Sequence, residues 1–169
     1  MMKSRTKFAT PRLSRSSLIW IGSAALVAGF VAGLAEWQSS GTPLTGPEIL
    51  VYSDPDCRDC RQWTQYLREH GFRTRVDFDT GRAAIQTYLG VPRDLQGPVI
   101  GIVDGYVIEG HVPAEDILRL IAERPRARGL AVPGRPGRSP GMEGFSADTK
   151  PYSVILFGET GAIRAYATH

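Results

Sequence analysis

Both cysteines of the chain stand in one stretch of its 169 residues, DPDCRDCRQW, running from Asp54 to Trp63. Thiols at Cys-x-x-Cys spacing can close a small disulfide, exchange it with another thiol, or hold a soft metal ion between two sulfurs. A thiol in the first turn of a helix faces unpaired N–H groups and roughly half a positive charge, which favours its thiolate. Cys57 would then be the attacking sulfur and Cys60, one turn on, the resolving thiol. Arg58 and Arg61 act in the same direction, and Asp56 and Asp59 act against it. A passive structural disulfide is the other reading, but so short a loop constrains the unfolded chain little.

The elements around the pair support that placement. EILVYSD, Glu48 to Asp54, is a short apolar run stopped by Pro55, which predicts a buried strand. From Cys57 onward, Cys60, Trp63, Tyr66 and Leu67 recur at helical spacing. Arg58, Asp59, Arg61, Arg68 and Glu69 fall on the opposite, outer face, and Gly71 closes the helix. Gly71 to Phe78 predicts a second strand, and Ala83 to Leu89 a short helix. GPVIGIVDGYVIE reads as a hairpin turning at Asp104-Gly105. AEDILRLIAERP is an amphipathic helix with Ile117, Leu118, Leu120 and Ile121 inward; its first turn is acidic and Arg124 stands near its end, as the helix dipole favours. Arg124 to Lys150 lacks periodicity and reads as an ordered wrap over the core. Pro151 to Thr168 reads as a final hairpin that extends the sheet.

That order, βαβα, hairpin, then α, with a Cys-x-x-Cys at the first helix, predicts an α/β fold of thioredoxin-like layout: a central mixed sheet flanked by helices. In such a layout the proline before the third strand is cis and lies against the cysteines. Gly97-Pro98 occupies that place, so Pro98 joins Cys57 and Cys60 as a candidate catalytic residue with a cis bond expected.

Charge and hydropathy divide the chain. Lys3, Arg5, Lys7, Arg12 and Arg15 precede the first acidic residue, Glu36; without these 5 of the 20 basic residues, 15 face 17 acidic ones. The rest of the chain is thus net negative, unlike a nucleic-acid binder. Leu18 to Ala35 is an uncharged apolar run whose length lies between a signal peptide's apolar region and a spanning helix. Residues 1–35 therefore read as a signal peptide or signal anchor, cleaved after Ala35 or held in the inner membrane through residues 18–35. The positive flank predicts that the chain beyond Ala35 is periplasmic or otherwise extracytoplasmic. Residues 36–47 read as a linker and 48–169 as the folded domain.

From Leu50 to His169 the chain resembles the CopG-like periplasmic copper-resistance family, a thioredoxin-like domain long catalogued as of unknown function. The match is carried by the Cys57 turn with Trp63, LGVP at Leu89, VDGYVIEGHVP at Val103, GLAVPG at Gly129, SPGME at Ser139 and the closing PYSVILF. The resemblance implies copper handling through clustered thiolates. The family's pattern is Cys-x-Cys-Cys in the first turn and Cys-His before the third strand. Here the middle cysteine position is Asp59, and the Cys-His pair is Pro98-Val99. His111 and Met142 match recurring family positions, so the candidate metal ligands are Cys57, Cys60, His111 and Met142, with Cu(I) as the ion. His70 and His169 read as solvated.

These readings support three functions. The first is thiol-disulfide exchange through Cys57 and Cys60 with partner protein thiols, within copper or periplasmic thiol homeostasis. The second is Cu(I) binding by the same sulfurs, and the third is a scaffold with a structural disulfide. No organic cofactor is implied.

Overall fold

A short apolar run can be read as a strand covered on both faces, and EILVYS forms such a strand, β1, Glu48–Ser53. In the computed structural model, which describes residues 45–78 and 81–169, β1 turns through Pro55 and Asp56 into helix α1, Arg58–Glu69. Then come β2, Arg73–Asp77, α2, Arg82–Tyr88, and a 3-10 turn at Arg93–Leu95. Strands β3, Val99–Val103, and β4, Tyr106–Glu109, form the predicted hairpin, and α3 spans Ala114–Glu123. The last three strands are β5, Gly129–Ala131, β6, Ser153–Phe157, and β7, Ile163–Thr168. The seven strands make one mixed sheet in the order β2-β1-β3-β4-β5-β6-β7. β1 runs parallel to β2 and β4 to β5; the other pairs are antiparallel.

Alternation along the strands feeds two cores. Ile49, Val51, Val99, Val103 and Ile108 pack with Trp63 and Leu67 of α1 and Ile117 and Leu120 of α3. Ile100, Val107, Ala131 and Phe157 pack on the other face, with Ile85 of α2 against them. Each large apolar side chain buried this way stabilises the fold by about 1.5–3 kcal/mol. Two further bonds fix α1 to the connection after β4 and to the start of α3: Trp63 Nε1 donates to the Val112 carbonyl at 2.9 Å, and the Ala114 amide donates to Tyr66 Oη at 3.2 Å.

Three expectations need correction. Leu118 is 42% exposed, because the buried line of α3 runs through Ala114, Ile117 and Leu120 and leaves Leu118 beside it. β5 lies inside the segment read as an ordered wrap, where three residues are too few to show a period. No peptide bond among the described residues is cis, so Gly97–Pro98 is trans.

The sheet's margins differ in character. On β2, Arg73, Arg75 and Asp77 point outward, and Glu48 pairs with both arginines at 3.5 and 3.7 Å. At the other margin, the pairing of β6 with β7 shifts register between Val154 and Ile155.

The expected leader or anchor, residues 1–35, and most of the 36–47 linker lie outside the described residues. Among the described residues no helix is long and apolar enough to cross a membrane.

Candidate functional site

The turn between β1 and α1 places the first cysteine. The Cys57 amide donates to the Asp54 carbonyl at 3.1 Å and its own carbonyl accepts from the Arg61 amide at 3.2 Å, so Cys57 is the N-cap of α1. Its sulfur is bonded to that of Cys60, with the two Cα atoms 5.3 Å apart. Cys60 is wholly buried, whereas Cys57 is half-buried in an open cleft of about 460 Å³. Asp54 and Asp56 line this cleft beside the turn; Arg82, Pro98, Arg135 and Phe145 line it from other parts of the chain.

Asp59, expected on the outer face, is only 4% exposed. One carboxylate oxygen lies 3.2 Å from Cys57 Sγ. The other lies 3.2 Å from the Arg135 guanidinium, without hydrogen-bond alignment, and 3.8 Å from His111 Nε2. The cause is the chain around residues 135–145, which folds over the start of α1. Gly141 sits so close that a Cβ on it would come within 2.5 Å of the Trp63 nitrogen and 3.0 Å of the Asp59 carbonyl oxygen. This carboxylate disfavours negative charge on Cys57 and so opposes the helix terminus. Donor atoms of Cys57, Asp59 and Cys60 all lie within 4.8 Å of one another.

His111 stands behind Asp59. It is 2% exposed, its ring is stacked on Trp63 with centroids 6.2 Å apart, and neither ring nitrogen has a hydrogen-bond partner. Burial pulls its pKa from 6.5 down to about 4, against the opposing pull of Asp59, so the imidazole is neutral. Neutral imidazole is also the form that binds metals. Met142 is buried in the turn that includes Gly141.

Pro98 closes the back of the pair, with its carbonyl oxygen 3.5 Å from Cys60 Sγ. Gly97, the residue before it, is held from both sides. The Gly97 amide donates to Glu109 Oε1 at 2.6 Å, and Gln86 Nε2 donates to the Gly97 carbonyl at 3.0 Å. This clamp is met with the trans bond, which is also lower than cis by about 0.5–1 kcal/mol. Glu109 is itself fully buried; Oε1 also accepts from Gln86 at 2.6 Å while Oε2 has no partner. Burial raises its pKa from 4.5 to about 7, moderated by the bonds from Gly97 and Gln86 and by Arg82.

Sequence reasoning missed Arg82 and Arg135, which line the cleft with Cys57, and Glu109, which holds Gly97 beside Pro98, since each is a lone charge with no partner legible nearby. His70 is exposed, as expected. His169 is not free: Nε2 lies 2.7 Å from Asp116 Oδ2 and the ring stacks on Tyr152, because β7 brings it beside α3.

Fold and site together define a mixed α/β protein with a cysteine pair at its first strand-to-helix turn. Residues 98–142 match the family model described as a protein of unknown function, DUF411. Two solved structures, those of copper resistance protein CopG in its forms 1 and 2, are 37% and 36% identical to the chain. Each similarity covers 73% of this chain and 98% of the other, with TM-scores of 0.67 and 0.68. None of the curated proteins matches. The chain belongs to the CopG-like copper-resistance family.

Proposed function

We propose that this is a thioredoxin-like copper-handling protein whose reduced Cys57 and Cys60 hold one Cu(I), the disulfide being the closed form of the same site. The observation that carries it is the meeting of two sulfurs and the Asp59 carboxylate within 4.8 Å at an open cleft. Thiolates select Cu(I). The stoichiometry of one rests on Asp59, Pro98 and Val99, which stand where the family pattern has further sulfur and imidazole. His111, neutral and without a hydrogen-bond partner, and Met142 are the candidates to complete the ion's shell. The copper resistance protein that the chain resembles supports the choice of metal. The strand order β2-β1-β3-β4, with α1 and α3 on one face and α2 on the other, supports the thioredoxin-like reading.

Anaerobic Cu(I) titration of the reduced chain against a chelator of known affinity tests it. One equivalent is expected. Cys57→Ser should weaken binding by more than the roughly 10–100-fold typical of losing an outer-shell partner. Several equivalents, or unchanged affinity in the variant, would overturn the proposal.

A second reading, thiol-disulfide exchange, is favoured by the asymmetry of the pair: Cys57 is accessible, Cys60 is buried, and the Pro98 carbonyl lies against it. Comparison of the Cys57–Cys60 reduction potential with those of known exchangers tests it; a bond that no physiological thiol can open leaves only a structural role. We also place the domain outside the cytoplasmic membrane, on the basic start and apolar run. Alkaline phosphatase joined after His169 should then be active, and a stable but inactive fusion would refute that placement.

A further inference from the structure

We propose that the thiol which opens the Cys57–Cys60 disulfide is a small molecule bearing a carboxylate, seated between Arg82 and Arg135. The proposal rests on the pair being redox-active, as in the second reading above. A hollow of about 300 Å³ adjoins the cleft over Cys57 and shares Arg82, Pro98 and Arg135 with it; Gln96, Gly97 and Gly134 complete its lining. Both charged residues that line the hollow are therefore arginines. The acids line the main cleft and not the hollow: Asp54 Oδ1 accepts from the Asp56 amide at the β1–α1 turn, and Asp59 is in contact with Arg135.

Arg82 has N–H capacity to spare. Its Nε is buried without a hydrogen-bond partner, and among the described residues it forms no ion pair. A guanidinium carries five donors in a planar fork that matches a carboxylate, so Arg135 too retains donors beyond its contact with Asp59. Arg58, by contrast, is spent on the face of Phe145, at 4.8 Å from the ring centroid. Cys57 is the sulfur that an incoming thiol can reach, since Cys60 is fully buried. A half-buried sulfur beneath walls drawn from α2, Pro98 and the chain around Arg135 suits a small thiol better than a folded partner.

The chemistry is ordinary exchange. The incoming thiolate bonds to Cys57 Sγ, the Cys57–Cys60 bond breaks, and its electron pair leaves on Cys60, which takes up a proton. A second thiolate then attacks the substrate sulfur of the mixed disulfide and releases Cys57. One protein disulfide and two thiols become one protein dithiol and one small disulfide; the protein gains two electrons and the thiols lose two.

The test uses the oxidised full chain in detergent. Its reduction by 3-mercaptopropionate, 2-mercaptoethanol and cysteamine is followed by acid quenching and alkylation. Each rate is divided by that thiol's rate with hydroxyethyl disulfide, which removes intrinsic nucleophilicity. At low salt the carboxylate thiol should lead the neutral one by about tenfold or more, and salt should shrink the lead. Arg82→Gln should bring the ratio towards one, whereas Arg164→Gln, on exposed β7, should preserve it. Equal normalised rates, or a lead that survives Arg82→Gln, overturn the carboxylate site and leave the redox reading standing. If none of the three thiols opens the bond, the redox reading falls and this proposal falls with it.

Discussion

With phenylalanine in place of His111, the folded chain will resist acid better than the natural protein, by about 3 kcal/mol at pH 4. The unfolded chain binds a proton on His111 below pH 6.5, while burial keeps the folded imidazole neutral until about pH 4. Stability is therefore lost as pH falls through that window, at about 1.4 kcal/mol per pH unit. Phenylalanine keeps a ring on Trp63, and no hydrogen bond is forfeited because neither His111 nitrogen makes one. Glu109 carries the opposite slope. Unfolded, it loses its proton near pH 4.5; folded, it keeps the proton to about pH 7. Its burial thus costs stability increasingly as pH rises through that interval, again by about 3 kcal/mol in all. In the natural chain the two slopes oppose each other from about pH 4.5 to 6.5. Glu109→Gln should uncover the rising slope of His111, and His111→Phe the falling slope of Glu109. Urea unfolding at several pH values separates the cases; parallel pH profiles for the natural protein and either variant would refute that assignment.

The second large effect concerns the turn over α1. Gly141 and Gly144 have nearly the same backbone angle, φ +81° and +82°, yet differ in their surroundings. A Cβ at Gly144 meets nothing within 4 Å, whereas one at Gly141 comes 2.5 Å from the Trp63 nitrogen and 2.9 Å from its Cα. Gly144→Ala should cost only the left-handed penalty of roughly 1–2 kcal/mol. Gly141→Ala adds the displacement of backbone atoms, roughly 1–3 kcal/mol more by analogy with overpacked cores. The difference between the two variants measures how firmly residues 139–142 are seated on the helix. Equal losses on urea unfolding would mean that they are not.

What was legible in the sequence depended on distance along the chain. EILVYS and VIGIV announce strands through uninterrupted apolar residues, Asp104-Gly105 marks the hairpin, and the Cys-x-x-Cys turn declares its chemistry by residue type alone. Asp59 could not be placed, because what buries it lies more than seventy positions away, at Arg135 and Gly141. Gly97, beside the trans bond at Pro98, is held by Glu109 and Gln86, which look from the sequence like ordinary polar residues of a strand and a helix. Leu118 satisfied a helical period by type but fell just outside the stripe that α3 buries.

The two margins of the sheet bear on how the protein behaves when crowded. A flat, uncharged outer strand is a template on which another chain can add a strand of its own, the first step toward aggregation. β2 offers a newcomer alternating charges already engaged with Glu48. At the far margin, the slip in register between β6 and β7 interrupts the even ladder that an added strand would need to copy. Growth by edge-to-edge pairing is therefore opposed at one end by charge and at the other by geometry.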